Sequence, residues 1–336
     1  MRKWEIFPTW LRILRGYKPF LSIEITRECP LRCPGCYVYN ENHLNNGKTI
    51  RQRSELRGND LVKSILDLVR QRHPIHLSIV GGEPLLRWKE LDILLPCLNT
   101  MGIEVQLVTS AVLPIPISWN RLSNLHLAVS IDGLPPEHDR RRSPADYGRI
   151  LKNIEGHKFN VHCVILRSML SRPDYLKDFA AYWSSFRATK KIWFSLYTPQ
   201  YGENSEEMLN PEERTRAINS VARLKKYFPK VQAADAILNG YRHPPSSPQD
   251  CIFAQTTECL APDLKTPVTP CQIGGHPKCS QCGCFASAAL TSFARFKLAG
   301  IVTIGDIFKL SQKIGMKLNP QRVKISPGQF LSGDYK

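Results

Sequence analysis

Nine of the eleven cysteines in this 336-residue chain fall into two groups, at 29–36 and 251–284. In an exported protein such thiols pair as disulfides. The opening residues, MRKWEIFPTW, carry charges and show neither a continuous apolar run nor a small-residue cleavage site, so they do not read as an export signal. The expected location is therefore cytoplasmic, where clustered thiols read as metal ligands. Cys97 and Cys163 lie inside apolar helix and strand patterns and read as core residues.

The first group, Cys29-Pro-Leu-Arg-Cys33-Pro-Gly-Cys36-Tyr37, has a C-x3-C-x2-C spacing. Three thiolates on one short loop can reach three corners of a cubane iron–sulfur cluster. The fourth iron then has no protein ligand, and an open coordination position is where a metal does chemistry. A zinc site is the alternative. It asks for a fourth donor close by, and His43 could supply one.

Strand and helix signals alternate around this loop. Apolar, β-branched runs predict strands over 20–26, 75–80, 104–109, 125–131, 160–166 and 191–197. Between them, periodic apolar positions predict helices over 59–72, 88–101, 145–154 and 173–186. Asn210-Pro211-Glu212-Glu213 is a strong helix start: a cap, a proline at the first position and acids in the first turn. The pattern fades near residue 230, short of a full eight-stranded barrel. The expected fold is α/β, a partial (β/α)6 TIM-like barrel with right-handed crossovers. Chemistry in such a fold sits at the C-terminal ends of the strands, which is where the cysteine loop, Gly81-Gly82-Glu83, Thr109, Ser130 and Asp132 fall. From about 240 the texture changes to a Pro/Ser linker and then a Cys-, Pro- and Gly-rich stretch with a final helix over about 286–298. The predicted divisions are a basic amphipathic segment 1–19, a core 20–235 and a Cys-rich extension 236–336.

The cysteine spacing, its place after the first strand, and Gly81-Gly82-Glu83-Pro84 after the second together resemble the radical S-adenosylmethionine (SAM) superfamily over roughly residues 18–200. The resemblance implies an enzyme in which Cys29, Cys33 and Cys36 hold a [4Fe-4S] cluster. The open iron binds SAM, and one electron from the reduced cluster cleaves it to a 5′-deoxyadenosyl radical. It also implies that Gly81, Gly82 and Glu83 contact the SAM amino group, that Ser130 and Asp132 meet the ribose, that Arg167 pairs with the carboxylate, and that Tyr37 lies beside the adenine. An electron donor such as flavodoxin or ferredoxin is implied as a partner.

The second group is Cys251, Cys259, Cys271, Cys279, Cys282 and Cys284. The chain resembles family members with a Cys-rich C-terminal extension of the SPASM or twitch kind, although the tight Cys282-x-Cys284 pair departs from the usual spacing. The resemblance implies a second [4Fe-4S] cluster, with Cys259, Cys271, Cys279, Cys282 and Cys284 as the candidate ligands. A zinc knuckle on four of these thiolates is the alternative.

Leu196-Tyr-Thr-Pro199 and the segment from Gly274 to Cys282 are also similar to the radical SAM enzymes that join adenosyl to hopene lipids. The expected substrate is a small molecule or a lipid. A SPASM-like peptide maturase is the alternative within the class, and a nucleic-acid-binding zinc protein the alternative outside it. A net charge of +17 favours an anionic partner without choosing one. The basic residues are dispersed and do not interleave with aromatics, which argues against nucleic acid. Near the N-terminus, Trp4, Ile6, Phe7, Trp10, Leu11, Ile13 and Leu14 are interspersed with Arg2, Lys3, Arg12, Arg15 and Lys18. That pattern suits peripheral contact with a membrane interface, although Pro8 interrupts any long helix. Asp132, His138, Tyr197 and Tyr201 lie near strand ends and are further candidates to line the pocket.

Overall fold

The computed structural model describes residues 6–44, 47, 49–298 and 300–318. Strands β1 (Phe20–Glu24), β2 (His76–Val80), β3 (Glu104–Thr109), β4 (Leu125–Ser130), β5 (Phe159–Ile165), β6 (Thr189–Leu196) and β7 (Thr257–Leu260) form one sheet. Its order is β6-β5-β4-β3-β2-β1-β7, and every neighbour pair is parallel. The sheet is open, so the expected partial barrel is present with one strand more than the periodicity gave.

That seventh strand comes from the Cys-rich segment. β7 lies beside β1 with Ser22 opposite Cys259. It is only four residues long, and a strand so short carries almost no period-2 signal. Residues beyond 236 are therefore part of the sheet, and the expected division at 235/236 falls at the start of a helix, Asp235–Arg242.

The crossover helices lie where apolar spacing put them. α1 (Ile6–Leu14) precedes β1. α2 (Gly58–Arg72) buries Leu61, Val62, Ile65 and Val69, one stripe of a 3.6-residue period. α3 (Trp88–Thr100) buries Leu91, Leu94, Leu95 and Leu98. Two short helices, α4 (Glu137–Arg141) and α5 (Tyr147–Asn153), separate β4 from β5. α6 (Arg167–Leu170) and α7 (Tyr175–Ser185) precede β6. α8 (Pro211–Tyr227) starts as its sequence demands: Asn210 accepts from the Glu213 N–H, and Glu213 accepts in return from the Asn210 N–H. α9 (Asp235–Arg242), α10 (Ile252–Thr256), α11 (Phe285–Ala294) and α12 (Ile304–Leu318) complete the order.

Side chains alternate across each strand. One face carries Leu21, Ile23, Leu77, Ile79, Val105, Leu107, Val161 and Phe194, which join the helices in the main core. The opposite face is polar, with Ser22, Glu24, Ser78, Gln106, His162 and Ser195 at alternate positions. A parallel sheet buried on both sides usually reads as a continuous apolar run. Here one face carries hydrogen-bonding groups, several of them paired with the Cys-rich extension, as Ser22 and Glu24 are with Gln272 and Ser195 is with Phe285.

Candidate active site

The chain leaves β1 and runs directly into the first cysteine group. Its path is braced before the first thiol. Glu55 accepts from the Arg27 N–H at 2.9 Å and from Thr26 Oγ1 at 3.0 Å. The buried Arg87 guanidinium donates to Glu28 and to Glu55.

The Gly81-Gly82 turn after β2 locks onto the same run. The Gly82 N–H donates to the Thr26 carbonyl and the Glu83 N–H to the Glu28 carbonyl, each at 2.8 Å. Gly81 has φ +125°, a conformation that favours glycine. A Cβ at Gly82 would collide with the Glu28 backbone. The two glycines thus fit this turn to the cysteine loop, backbone against backbone.

Cys29, Cys33 and Cys36 are free, half-buried thiols at this end of the sheet. A cavity of about 450 Å³ opens beside them, lined by Arg32, Cys33, Pro34, Gly35, Cys36, Tyr39 and Asn40. Burial pushes the Cys29 thiol up to about 12 and raises Cys33 and Cys36 as well. At Cys33 the charges of Arg142 and Arg141 oppose burial in part. Thiols in such surroundings become thiolates when a cation binds them. Among the described residues, no three His, Cys, Asp or Glu side chains converge tightly enough to hold a single ion. A cubane cluster is larger than one ion and takes thiolates at separate corners. The donor set and the adjoining cavity fit such a cluster.

Several of the expected site residues have partners within the chain. Glu83 is buried and its carboxylate is fully engaged. Oε1 accepts from the Leu85 N–H at 3.0 Å and Thr109 Oγ1 at 2.5 Å, and Oε2 from the N–H of Ser110 at 2.8 Å and from its hydroxyl. It caps the turn at Pro84–Arg87 and fastens it to the end of β3. Glu83 is thus the partner of Thr109 at the end of β3.

Asp132 is equally occupied. Oδ1 accepts from the Val164 N–H, and Oδ2 from Arg141 and Arg142. Burial alone would raise this carboxyl, but the two guanidinium groups and the Val164 N–H outweigh burial and hold it well below the usual carboxylate range. Arg141 continues to Glu207 through two bonds, at 2.8 and 2.9 Å. Two arginines and two carboxylates form a neutral network whose positive members act on Cys33. Ser130, at the end of β4, is buried opposite His162 of β5.

Arg167 stands apart. Its Nε pairs with Glu213 Oε2 at 3.0 Å in a surface ion pair, and the side chain is 45% exposed. The basic groups beside the cysteine loop are Arg141 and Arg142, which sequence reasoning passed over. The run Arg140-Arg141-Arg142, soon after the β4 end, was the available signal.

Tyr37 donates from its hydroxyl to the Gly81 carbonyl at 3.0 Å and stacks on His43 at 4.6 Å. His43 is not a fourth donor to the first cysteines, because both ring nitrogens are taken. Nδ1 faces the Ile273 carbonyl at 3.0 Å and Nε2 faces Glu24 Oε1 at 2.6 Å. Of the other pocket candidates, His138 Nδ1 accepts from the Asp132 N–H, Tyr197 donates to Glu203 and lies against Gly35, and Tyr201 is exposed.

The second cysteine group gathers on the other side of this His43 contact. Cys259 is on β7, Cys271 and Cys279 are in the loops that follow, and Cys282 and Cys284 precede α11. Burial pushes Cys259, Cys279 and Cys284 up to about 12. Cys251, absent from the expected ligand set, lies with them. It is near enough to contribute to the raised thiols of Cys271, Cys279, Cys282 and Cys284, and its Sγ is 3.4 Å from Ser287 Oγ. Gly283 explains the tight Cys282-x-Cys284 spacing. Its carbonyl accepts from the Leu196 N–H, its N–H donates to Thr198, and a Cβ there would strike the Leu196 carbonyl.

An open parallel sheet with a three-cysteine loop at the C-terminal end of its first strand defines an α/β protein that can carry a metal cluster at the mouth of a partial barrel. A family model described as the radical SAM superfamily matches residues 23–182 of the chain. An uncharacterized protein of Methanocaldococcus jannaschii is 26% identical over 227 residues, covering 63% of this chain and 74% of that protein. The 7-carboxy-7-deazaguanine synthase of Hyperthermus butylicus is 31% identical over 124 residues, covering 36% of this chain and 48% of that enzyme. Among solved structures, Streptococcus suis SuiB bound to S-adenosylmethionine superposes with a TM-score of 0.52 at 14% identity. The match covers 77% of this chain and 60% of SuiB, and it is a likeness of fold.

Proposed function

We propose that this protein is a radical SAM enzyme that holds a [4Fe-4S] cluster on Cys29, Cys33 and Cys36 and modifies a small-molecule or lipid substrate. One observation carries the reading: three thiols on the loop leaving β1, beside a cavity of about 450 Å³, on a loop braced by the Gly81-Gly82 turn. With SAM on its open iron, such a cluster supplies one-electron cleavage to a 5′-deoxyadenosyl radical.

The chain's own residues do the holding. Gly81 and Gly82 keep the turn flush with the loop. Glu83 fixes that turn to β3 rather than reaching outward. Arg141 and Arg142 place positive charge beside Cys33, which favours its thiolate. The ends of the polar sheet face are covered by the Cys-rich extension: Gln272 meets Ser22 and Glu24, Phe285 stacks on Trp193 at 5.3 Å, and the Phe285 N–H donates to Ser195. Up to four of the six C-terminal thiols are proposed to hold a second [4Fe-4S] cluster, with Cys251 added to the candidate ligands.

The test is iron, labile sulfide and zinc per chain on anaerobically reconstituted protein, followed by reductive SAM cleavage. Two cubane clusters give about eight irons per chain. Zinc at both sites with little iron would overturn the reading.

A further inference from the structure

The apolar face expected of the N-terminal segment is partly spent inside the molecule. Ile13 is buried with Ile304 and Phe308 of α12, Trp10 and Phe293 pack against them, and Trp10 Nε1 donates to Ser311 Oγ at 2.6 Å. Gly315 lets α12 approach the Ile13 carbonyl and Gly16.

What remains outside is a different set of residues. α12 buries Ile304, Phe308, Ser311 and Gly315, one face of the helix. Its neighbouring face presents Leu310, Ile314 and Leu318 at intervals of four, all exposed. Next to that stripe runs a second exposed row, Lys309, Lys313 and Lys317. At the head of α12, the hairpin of β8 (Lys297–Leu298) and β9 (Val302–Thr303) turns through Ile301, which is 83% exposed. Phe296 and Val302 flank it, also exposed, as is Phe7 on α1. Seven of the large exposed apolar side chains thus belong to this end of the molecule. Two acids lie nearby: Asp306 accepts from Thr303 Oγ1 at 2.6 Å, and Asp250 accepts from Ser246 and Ser247 and feels the charge of Lys309, which leaves Lys313 and Lys317 as the more open cations of the row.

We infer that the exposed face of α12, together with the β8–β9 turn, is a docking surface for an anionic lipid bilayer. A soluble surface scatters its apolar residues singly. An apolar stripe with a parallel row of lysines is the pattern of a helix lying in a bilayer interface, with the stripe among the acyl chains and the ammonium groups at the headgroups. The lysine row selects the charge sign of the partner, and the bare Ile301 turn favours a lipid over a polar protein surface. This inference is independent of the proposed reaction.

The test is sedimentation of the full-length protein with vesicles of phosphatidylglycerol and phosphatidylcholine in equal parts, against phosphatidylcholine alone. The protein is expected to sediment with the anionic vesicles only, and less so as salt rises. Each lysine near an anionic surface contributes about 1 kcal/mol, so replacing Lys309, Lys313 and Lys317 by Gln should weaken partition on the order of a hundred-fold. Ile301→Glu with Leu310→Glu should abolish it. All these side chains are exposed, and an unchanged melting curve confirms that the variants fold. Absence of sedimentation, equal binding to neutral vesicles, or full binding by the Ile301/Leu310 variant would each overturn the inference. So would a dimer in solution that the same substitutions dissociate, which would make the occupant a second copy of the chain.

Discussion

The imidazole of His43 meets the carboxylate of Glu24 at 2.6 Å, and both side chains are wholly buried. His43 Nδ1 faces a carbonyl and must donate to it, so a single proton lies between Nε2 and Glu24 Oε1. Gln272 also donates to Glu24, at 3.2 Å, while Glu24 Oε2 has no partner among the described residues. Tyr37, next to Cys36, stacks on His43, and Gln272 adjoins Cys271. The pair therefore ties the first cysteine loop to the second.

Burial raises the Glu24 carboxyl, with the bonds from His43 and Gln272 opposing in part. A carboxyl raised in the folded state favours folding below its unfolded pKa, and that contribution is lost as pH rises through the folded value. The wild-type protein should lose stability on raising pH through the folded pKa of Glu24, and Glu24→Gln should flatten that slope. Denaturant midpoints across a pH series check this; parallel slopes in the two proteins would contradict it.

Asp132 has the opposite sign. Its carboxyl is held down, so its contribution is present above its unfolded pKa of about 3.9 and is lost as pH falls toward the depressed value. Asp132→Asn leaves two half-buried guanidinium groups short of a countercharge. It should cost about 3 kcal/mol at neutral pH, read from urea midpoints, and less as the solution is acidified.

Gly82→Ala places a methyl group into the Glu28 backbone. Because the obstacle is main chain, the turn must move, and a destabilisation of about 2 kcal/mol is expected. Iron occupancy at the first site should fall with it. A variant that melts with the wild type and binds the same iron would show that the loop and turn are not interlocked.

Cys33→Ala should abolish SAM cleavage while leaving iron on the C-terminal thiols. Cys282→Ala should do the reverse, lowering iron content but sparing the first site. Iron analysis with electron paramagnetic resonance of each reduced variant separates the two sites.

Arg167→Ala should leave SAM affinity unchanged, since its partner is Glu213 at the surface. The stability change should lie within about 1 kcal/mol. Equilibrium dialysis with labelled SAM decides it, and a tenfold loss of affinity would return Arg167 to the site.

The alternation of strands and helices, the helix start at Asn210 and the cysteine loop after β1 were legible because each rests on local pattern. Apolar period, cap chemistry and thiol spacing are all written within a few residues. What was not legible depends on partners far along the chain. Glu83 read as a free acceptor because nothing local shows that Thr109 and Ser110 return to it. Arg167 and Arg141 are both arginines near strand ends, and only the fold says which one turns outward. Cys251 looked spare until packing brought it beside Cys282. β7 was missed because four residues in a Pro- and Cys-rich stretch carry no period, and pairing with β1 supplies what the sequence lacks.

That pairing bears on how the chain can be cut. A shortened version ending before residue 250 would keep every residue of the matched domain, yet it would leave the backbone of β1 unpaired along one side. An uncovered, apolar strand edge invites pairing with another molecule. It would also strip Gln272 from Glu24 and Ile273 from His43, leaving a buried acid and imidazole short of partners next to the first cysteines. Such a fragment should aggregate during purification rather than behave as a minimal catalyst. The useful dissection of this protein is by point substitution in the full-length chain.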